Sequence, residues 1–536
     1  MKKIIYYFAI FLLMISCKQL EADLIVINAN IYTVNDNFSK AEAFAIRDGK
    51  FIGVGSNSEI TIKYNSKTTL DAQGKTIVPG LIDAHCHLYR MGLQQQKVSL
   101  EGTKSYDEIL ERLVTFQKEK NVAFITGRGW DQNDWEVKEF PTKDKLDKLF
   151  PKTPIAIRRI DGHALLANQA AIDLTKFTKD TPVSGGEIIV NDGKMTGVFI
   201  DAAMDLIQVP TPDRQTAIKG LIDAQEIAFS YGLTTVDDAG LEQATIELID
   251  SLQQEEELKI RMYAMVSATQ KNLDYYINKG IIKTDRLHVR SFKIYGDGAL
   301  GSRGAAMRKS YSDRHNHFGA LIYSPERYRE MAKQIAASEY QMNTHAIGDS
   351  ANTWILKTYE EFLKGKQNRR WRIEHAQIIS KDDFRLFENV LPSIQPTHAT
   401  SDMYWAENRI GKDRMKGAYA YKDLLKVYGK VALGTDFPVE QVNPFLTFYA
   451  AAVRKDTEGF PEGGFQIENV LSREETLKGM TIWAAFSNFE ESEKGSIEVG
   501  KLADFVILNQ DIMTIEEDRI PTTKATATYI SGEKVY

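Results

Sequence analysis

The stretch Ile77-Val78-Pro79-Gly80-Leu81-Ile82-Asp83-Ala84-His85-Cys86-His87 decides how this chain is read. It begins apolar enough for a buried strand and ends in two histidines at i and i+2, which an extended backbone points to the same side. Two imidazoles on one face at a strand end can share a metal ion. His-x-His also arises by chance, so the rest of the chain has to supply the other ligands. Cys86 falls on the opposite side and is a poor ligand.

Downstream, from residue 217, helical stretches near 217–230, 242–256, 326–340, 350–365, 380–389, 411–428, 443–454 and 472–487 alternate with apolar strand candidates. Those strands are 234–238, 259–266, 288–295, 341–345, 370–375, 391–395 and 430–435, and the one ending at His85 makes eight. Parallel strands need crossovers, and a closed sheet has no edge to protect, so the pattern predicts an α/β fold built on a (β/α)8 TIM-like barrel. A doubly wound open sheet is the alternative. No Gly-x-Gly-x-x-Gly follows the first barrel strand and no Gly-x4-Gly-Lys-Ser/Thr occurs, which disfavours its nucleotide-binding forms.

Before the barrel, short strands at 24–29, 31–34, 43–47, 51–54 and 76–78 are punctuated by turns such as Asp48-Gly49. Partner strands are expected from the tail, at 503–508, 525–530 and from Lys534 on, so that both ends of the chain build one composite β-sandwich. The interval 90–215 is too long for a loop and is expected to be an inserted subdomain after barrel strand 1, with a hairpin turning at Asn191-Asp192-Gly193. Its Trp130 and Trp135 are candidates for an aromatic cover over a pocket. The expected division is 1–17 signal, 22–78 first sandwich part, 79–489 barrel with its insertion, and 490–536 second sandwich part.

At 536 residues, 43% hydrophobic and 26% charged, the composition is that of a globular protein, and a net charge of -6 without a basic stripe excludes nucleic acid as the expected partner. Lys2 and Lys3, an uncharged run from Ile4 to Ile15, and then Ser16-Cys17 have the order of an export signal. Leu13-Met14-Ile15-Ser16-Cys17 resembles a bacterial lipoprotein signal, with Met14 where such signals more often carry Leu; ordinary export or a retained anchor are the alternatives. The expected address is a lipoprotein attached to a bacterial membrane through Cys17. The only other cysteine is Cys86, so lipidation of Cys17 leaves no internal disulfide.

Barrel chemistry sits at the C-terminal ends of strands. His85 and His87 end the first, Lys293 and Asp297 fall at the end of the fourth, His345 ends the fifth, His375 the sixth, His398 follows the seventh, and Asp436 ends the eighth. Five of the nine histidines thus share one predicted mouth, and His163 lies in the insertion. Each has an ordinary reading: His345 or His375 as a buried histidine bonded to backbone, Asp436 as a helix cap, Lys293 as an ion-pair partner of Asp297. Glu374 competes with His375 but is expected on the opposite face.

His85-x-His87, Lys293, His345, His375 and Asp436 together resemble the metal-ligand pattern of the amidohydrolase superfamily. Further phrases are similar to its YtcJ-like branch, which includes an N-substituted formamide deformylase: Gly-His-Ala-Leu-Leu-Ala-Asn (162–168), Lys-Ile-Tyr-Gly-Asp-Gly-Ala-Leu-Gly-Ser-Arg (293–303), Arg-Ile-Glu-His-Ala-Gln (372–377) and Leu-Gly-Thr-Asp-Phe-Pro-Val-Glu (433–440). The resemblance implies a barrel flanked by a sandwich and two divalent ions. It also implies an N6-carboxylated Lys293 bridging them, with His85 and His87 on one ion, His345 and His375 on the other, and Asp436 completing the first. Zinc suits such a donor set, and manganese, iron or cobalt are not excluded.

The implied activity is metal-dependent hydrolysis of a non-peptide C–N bond, most simply an exocyclic N-formyl or N-acyl amide. Hydroxide activated by the metals attacks, Asp436 shuttles the proton, His398 and His163 assist, and Asp297 and Arg303 contact the substrate. A cyclic amidase, a deaminase and a non-catalytic tethered binding protein are the alternatives. Oligomerisation is left open.

Overall fold

The computed structural model describes residues 19–160, 162–183, 186–364 and 368–536. The expected signal and Cys17 lie outside them. Among the described residues no helix is long and apolar enough to cross a membrane. The chain divides into two compact units, one running up to Cys86 and resuming at Ala228–Ile246 and Lys259–Tyr536, the other comprising His87–Ile227 and Glu247–Leu258.

The first unit holds the eight-stranded parallel barrel: β1 (Leu81–Cys86), β2 (Leu233–Leu241), β3 (Arg261–Ser267), β4 (Leu287–Tyr295), β5 (Gln341–Ala346), β6 (Arg372–His375), β7 (Leu391–Ile394) and β8 (Ala432–Leu433). Each strand pairs in parallel with the next. The α/β barrel expected from the sequence is therefore present. Its strands are almost wholly buried, as they must be when helices cover one face and packed side chains fill the other.

β8 is shorter than the expected 430–435 because the backbone leaves the ladder at Gly434 and reaches Asp436 at φ +62°. The seam between β8 and β1 is joined by other means. Thr435 donates from its N–H (3.0 Å) and hydroxyl (2.7 Å) to the buried Asp83 carboxylate, and Asp436 N–H donates to His85 O (2.8 Å). The approach is close enough that a Cβ on Gly434 would lie 2.5 Å from His85 N and 2.8 Å from His85 O.

The two ends of the chain meet in the same unit. The strand Phe505–Leu508 pairs antiparallel with Thr76–Pro79, giving a six-stranded sheet ordered 533–534, 525–530, 505–508, 76–79, 30–32, 40–41. A four-stranded sheet of 50–55, 43–47, 24–27 and 69–71 shares a core with it. Phe505 stacks on Tyr529 (4.3 Å between ring centroids) and meets Phe44 edge-on (4.9 Å). A bidentate pair ties this sheet to the first residue of β3: Arg261 Nε lies 2.7 Å and Nη2 3.1 Å from the Asp504 carboxylate. The strand-only reading of this region missed the helix Asn57–Lys63, whose capping box, Ser56 with Glu59, was present in the sequence.

The second unit has its own mixed sheet, ordered 98–99, 125–130, 155–159, 164–167, 194–201, 186–191, and its own apolar core beneath the helix Tyr106–Lys120. The hairpin turns at Asp192 and Gly193, both at positive φ. Trp130 and Trp135 belong to that core, their indole N–H groups donating to Ile157 O and Thr103 O, each at 3.0 Å. They form no aromatic cover, because a tryptophan whose N–H finds a carbonyl can be buried whole.

Candidate metal centre

Apart from His87, at which the second unit begins, the polar residues expected at the strand ends lie in the barrel unit. His85, the penultimate residue of β1, is fully buried, with Nδ1 2.6 Å from Glu374 Oε2 and Nε2 3.0 Å from Lys293 Nζ and 3.7 Å from Asp436 Oδ1. His87 follows β1 directly and stands at the position before the helix Leu88–Gln95, with no capping hydrogen bond from its side chain.

On β6 strict alternation would have sent Glu374 and His375 to opposite faces. Instead Glu374 reaches His85 while the rings of His375 and His85 lie 5.0 Å apart. The cause is local: His375 (φ +72°) and Ala376 (φ +45°) are in the left-handed region, so the strand turns at its last residue and brings the imidazole round. Asp436 is twisted in the same sense, and positive φ at these three non-glycine residues marks strain retained at a site.

Asp436 lies at the centre. Its Oδ1 faces His85 Nε2, and its Oδ2 lies 3.2 Å from Nε2 of His398, on the helix Pro396–Asp402 after β7. His398 Nδ1 is 3.0 Å from Glu440 Oε1, which also accepts from the Ser401 hydroxyl at 2.6 Å.

Among the described residues two groups can hold a metal ion: His85, His87 and Asp436, and His375, His398 and Asp436. In each, one ligand atom per residue falls within 4.8 Å of the others. Imidazole nitrogens with a carboxylate suit a divalent transition ion, and His375 Nδ1 is buried with no hydrogen-bond partner among the described residues.

This arrangement corrects the expected cofactor assignment. The residue common to the two groups is Asp436, not a carboxylated Lys293, and the second group takes His398 where His345 was expected. Lys293, 2% exposed, contacts His85 through its amine; burial, against nearby Glu374 and Asp436, lowers its pKa to about 8. His345 lies beside the second group, its ring 4.4 Å from that of His375 and its Nε2 3.6 Å from Asp297 Oδ1.

Burial first, then the positive charge of Lys293, lowers His85 and pushes His345 down to about 3; burial, then His345, takes His375 well below the usual imidazole range. His85 and His375, which belong to the two groups, are thereby kept neutral near pH 7, the form in which an imidazole can hold an ion. Burial would also lower His398, but its hydrogen bonds to Asp436 and then Glu440 raise it to about 10.

The remaining expected residues are placed as follows. Asp297 is 1% exposed and accepts from the backbone N–H groups of Ala306 (2.8 Å), Ile347 (3.0 Å) and Gly348 (2.8 Å). Arg303 forms a fork with Asp313, at 3.0 and 2.8 Å. His163, in the second unit, is exposed, with Nδ1 2.7 Å from Asp201 Oδ1. Sequence reasoning missed Asp83 and Thr435 at the seam and did not foresee the contacts of Glu374 and Glu440. Both glutamates stood inside quoted phrases, but nothing in the spacing showed which histidine each would reach.

A sequence profile described as "Amidohydrolase family" matches residues 68–536. The Arabidopsis thaliana protein LONG AFTER FAR-RED 3 is 31% identical, covering 96% of this chain and 92% of its own. The Bacillus subtilis (strain 168) protein YtcJ is 29% identical (94% and 98%), and the N-substituted formamide deformylase of Arthrobacter pascens 24% identical (95% and 97%). The crystal structure of an uncharacterized metal-dependent hydrolase from Pyrococcus furiosus is similar at a TM-score of 0.76 and 27% identity, covering 92% of this chain and 100% of that one.

Proposed function

This chain belongs to the amidohydrolase family and is a metal-dependent hydrolase of a small organic substrate; from that premise we propose that it cleaves an exocyclic amide, such as an N-formyl or N-acyl group, with Asp436 as the proton shuttle. The observation that carries the reading is the position of Asp436, one oxygen toward each group of histidines. The amide assignment is supported by the likeness to the formamide deformylase over nearly the whole of both chains.

Divalent ions held by the two groups would polarise the substrate carbonyl and acidify a water. The chain's own part is proton traffic. Asp436 is within reach of both groups, so it can take the proton of the attacking water and return it to the departing nitrogen, which leaves poorly as an anion. His398, with Nε2 3.2 Å from Asp436 Oδ2 and Nδ1 3.0 Å from Glu440 Oε1, holds the Asp436 carboxylate in place. Asp297 fixes the loop after β5 and faces His345. We assign substrate contact to Arg303, on the segment that follows β4.

The test is amine release from a chemically diverse amide library by wild type and Asp436→Asn. The substitution should lower kcat by about 10²- to 10⁴-fold. Near wild-type turnover in the variant would remove Asp436 from this role, and wild type cleaving no amide would remove the substrate class. Membrane attachment through Cys17 is a separate proposal, supported by the order of residues 2–17. Cys17→Ser should move the protein out of the membrane fraction, and unchanged partitioning would defeat it.

A further inference from the structure

His85 has Asp436 on one side of its ring and Glu374 on the other. The contact between Glu374 Oε2 and His85 Nδ1, 2.6 Å, joins two fully buried side chains, while Nε2 faces Lys293 Nζ at 3.0 Å and Asp436 Oδ1 at 3.7 Å. A carboxylate can only accept, so the short contact puts the ring hydrogen on Nδ1 and leaves the Nε2 lone pair on the side of the first metal-binding group. We propose that Glu374 is a positioning residue for that group: it fixes the tautomer and the rotation of the His85 ring, so that Nε2 is presented to the ion held with His87 and Asp436.

The glutamate is itself held from behind. Arg372, two residues earlier on β6 and therefore on the same face, is fully buried, with Nη1 4.0 Å from Glu374 Oε1 and 2.9 Å from Asp237 Oδ2. The same Nη1 lies 3.3 Å from the carbonyl of Ala84, the residue before His85, and Nη2 donates to Ser487 O at 2.9 Å. Asn488 pairs with Arg372 and donates to Asp237 Oδ1 at 2.6 Å. A carboxylate at that depth is tolerated when paired, and here guanidinium and carboxylates alternate in one file, Asp237, Arg372, Glu374, ending on His85. A residue needed only to fill space between β1 and β6 would not require a buried cation behind it, nor a contact to a ring nitrogen.

The inference rests on the first group binding an ion. Cobalt(II) is the probe: the full chain is freed of metal and reloaded, and bound cobalt per chain is followed against a graded chelator, together with the visible spectrum and circular dichroism. Glu374→Gln keeps the shape and removes the charge, and Glu374→Asp keeps the charge but withdraws it by one methylene. Glu374→Gln should fold and release one of its two cobalt ions at a chelator strength about 10- to 100-fold lower than wild type, with an altered spectrum, while the other ion follows the wild-type curve. Glu374→Asp should lie between.

Wild-type release of both ions from Glu374→Gln overturns the proposal. So does parallel loss of both ions with a lowered melting temperature of the metal-free protein, which would make the contact one of general packing. If Glu374→Gln does not fold, Glu374→Asp decides, and wild-type release from it overturns the proposal equally. A wild type that binds no cobalt defeats the ion-binding premise, and the proposal with it.

Discussion

Asp436 and His85 meet twice: Asp436 N–H donates to His85 O at 2.8 Å, and Asp436 Oδ1 stands 3.7 Å from His85 Nε2. The backbone contact closes the barrel and the side-chain contact lies where an ion would be shared. Closure of the sheet and assembly of the site are therefore the same event at this seam.

Gly434 is where that coupling can be attacked from outside the ligand set. A methyl group there would lie 2.5 Å from His85 N and 2.9 Å from Asp83 Oδ1, both in the seam, so Gly434→Ala should force β8 away from β1. The expected cost is about 1–3 kcal/mol of stability together with loss of bound metal. Thermal unfolding and metal content measured on the same sample check it; an unchanged metal content would show that the seam relaxes without disturbing the ligands.

Sharing of Asp436 predicts unequal results for two substitutions. His398→Gln removes a ligand from the second group alone and should leave about one ion per chain, whereas Asp436→Asn weakens both groups and should leave fewer. Elemental analysis after dialysis against a chelator distinguishes them. Equal losses in the two variants would mean that the two positions do not meet at Asp436.

The sandwich is expected to be integral to stability. Phe505 is fully buried between Phe44, Phe51 and Tyr529, so Phe505→Ala should cost about 3–5 kcal/mol, read as a lowered midpoint in denaturant with little change in slope.

A pH-dependent contribution is expected from Glu490, whose buried carboxylate meets Lys494 (2.6 Å), His288 (3.2 Å) and Lys283. Burial alone would raise its pKa, but Lys494, His288 and Lys283 hold it well below the ordinary value of 4.5. The unfolded chain therefore takes up the proton more readily. The stabilisation is complete above about pH 4.5 and is lost as pH falls toward the native value. Glu490→Gln should lose roughly 3–5 kcal/mol at pH 7. The gap to wild type should narrow in denaturant titrations below about pH 4.5, and a gap independent of pH would reject the assignment.

The strand ends were legible because apolar runs buried on both faces stop abruptly at histidine, lysine or aspartate, and that contrast survives in one dimension. The partners of those residues were not. Alternation placed Glu374 away from His375, but one residue at φ +72° brought both to the same side. His398 follows a short strand and starts a helix, so no periodicity could say that it, rather than His345, would join His375 and Asp436. The role expected of Lys293 came from resemblance, and the geometry moved the shared position to Asp436. Seam residues such as Asp83 and Gly434 are set by contacts spanning most of the chain, which local pattern does not encode.

The pairing of Thr76–Pro79 with Phe505–Leu508 also orders events in time. On the ribosome the first of these strands emerges long before the second exists; at about 5–20 residues per second the wait is roughly 20 to 90 s. Throughout that interval the apolar strand 76–79 has its neighbour 30–32 but lacks the partner on its other edge, and closing so large a loop carries an entropic cost that only the finished sheet offsets. Until residues 505–508 are made, that edge of the strand is open to pairing with another chain.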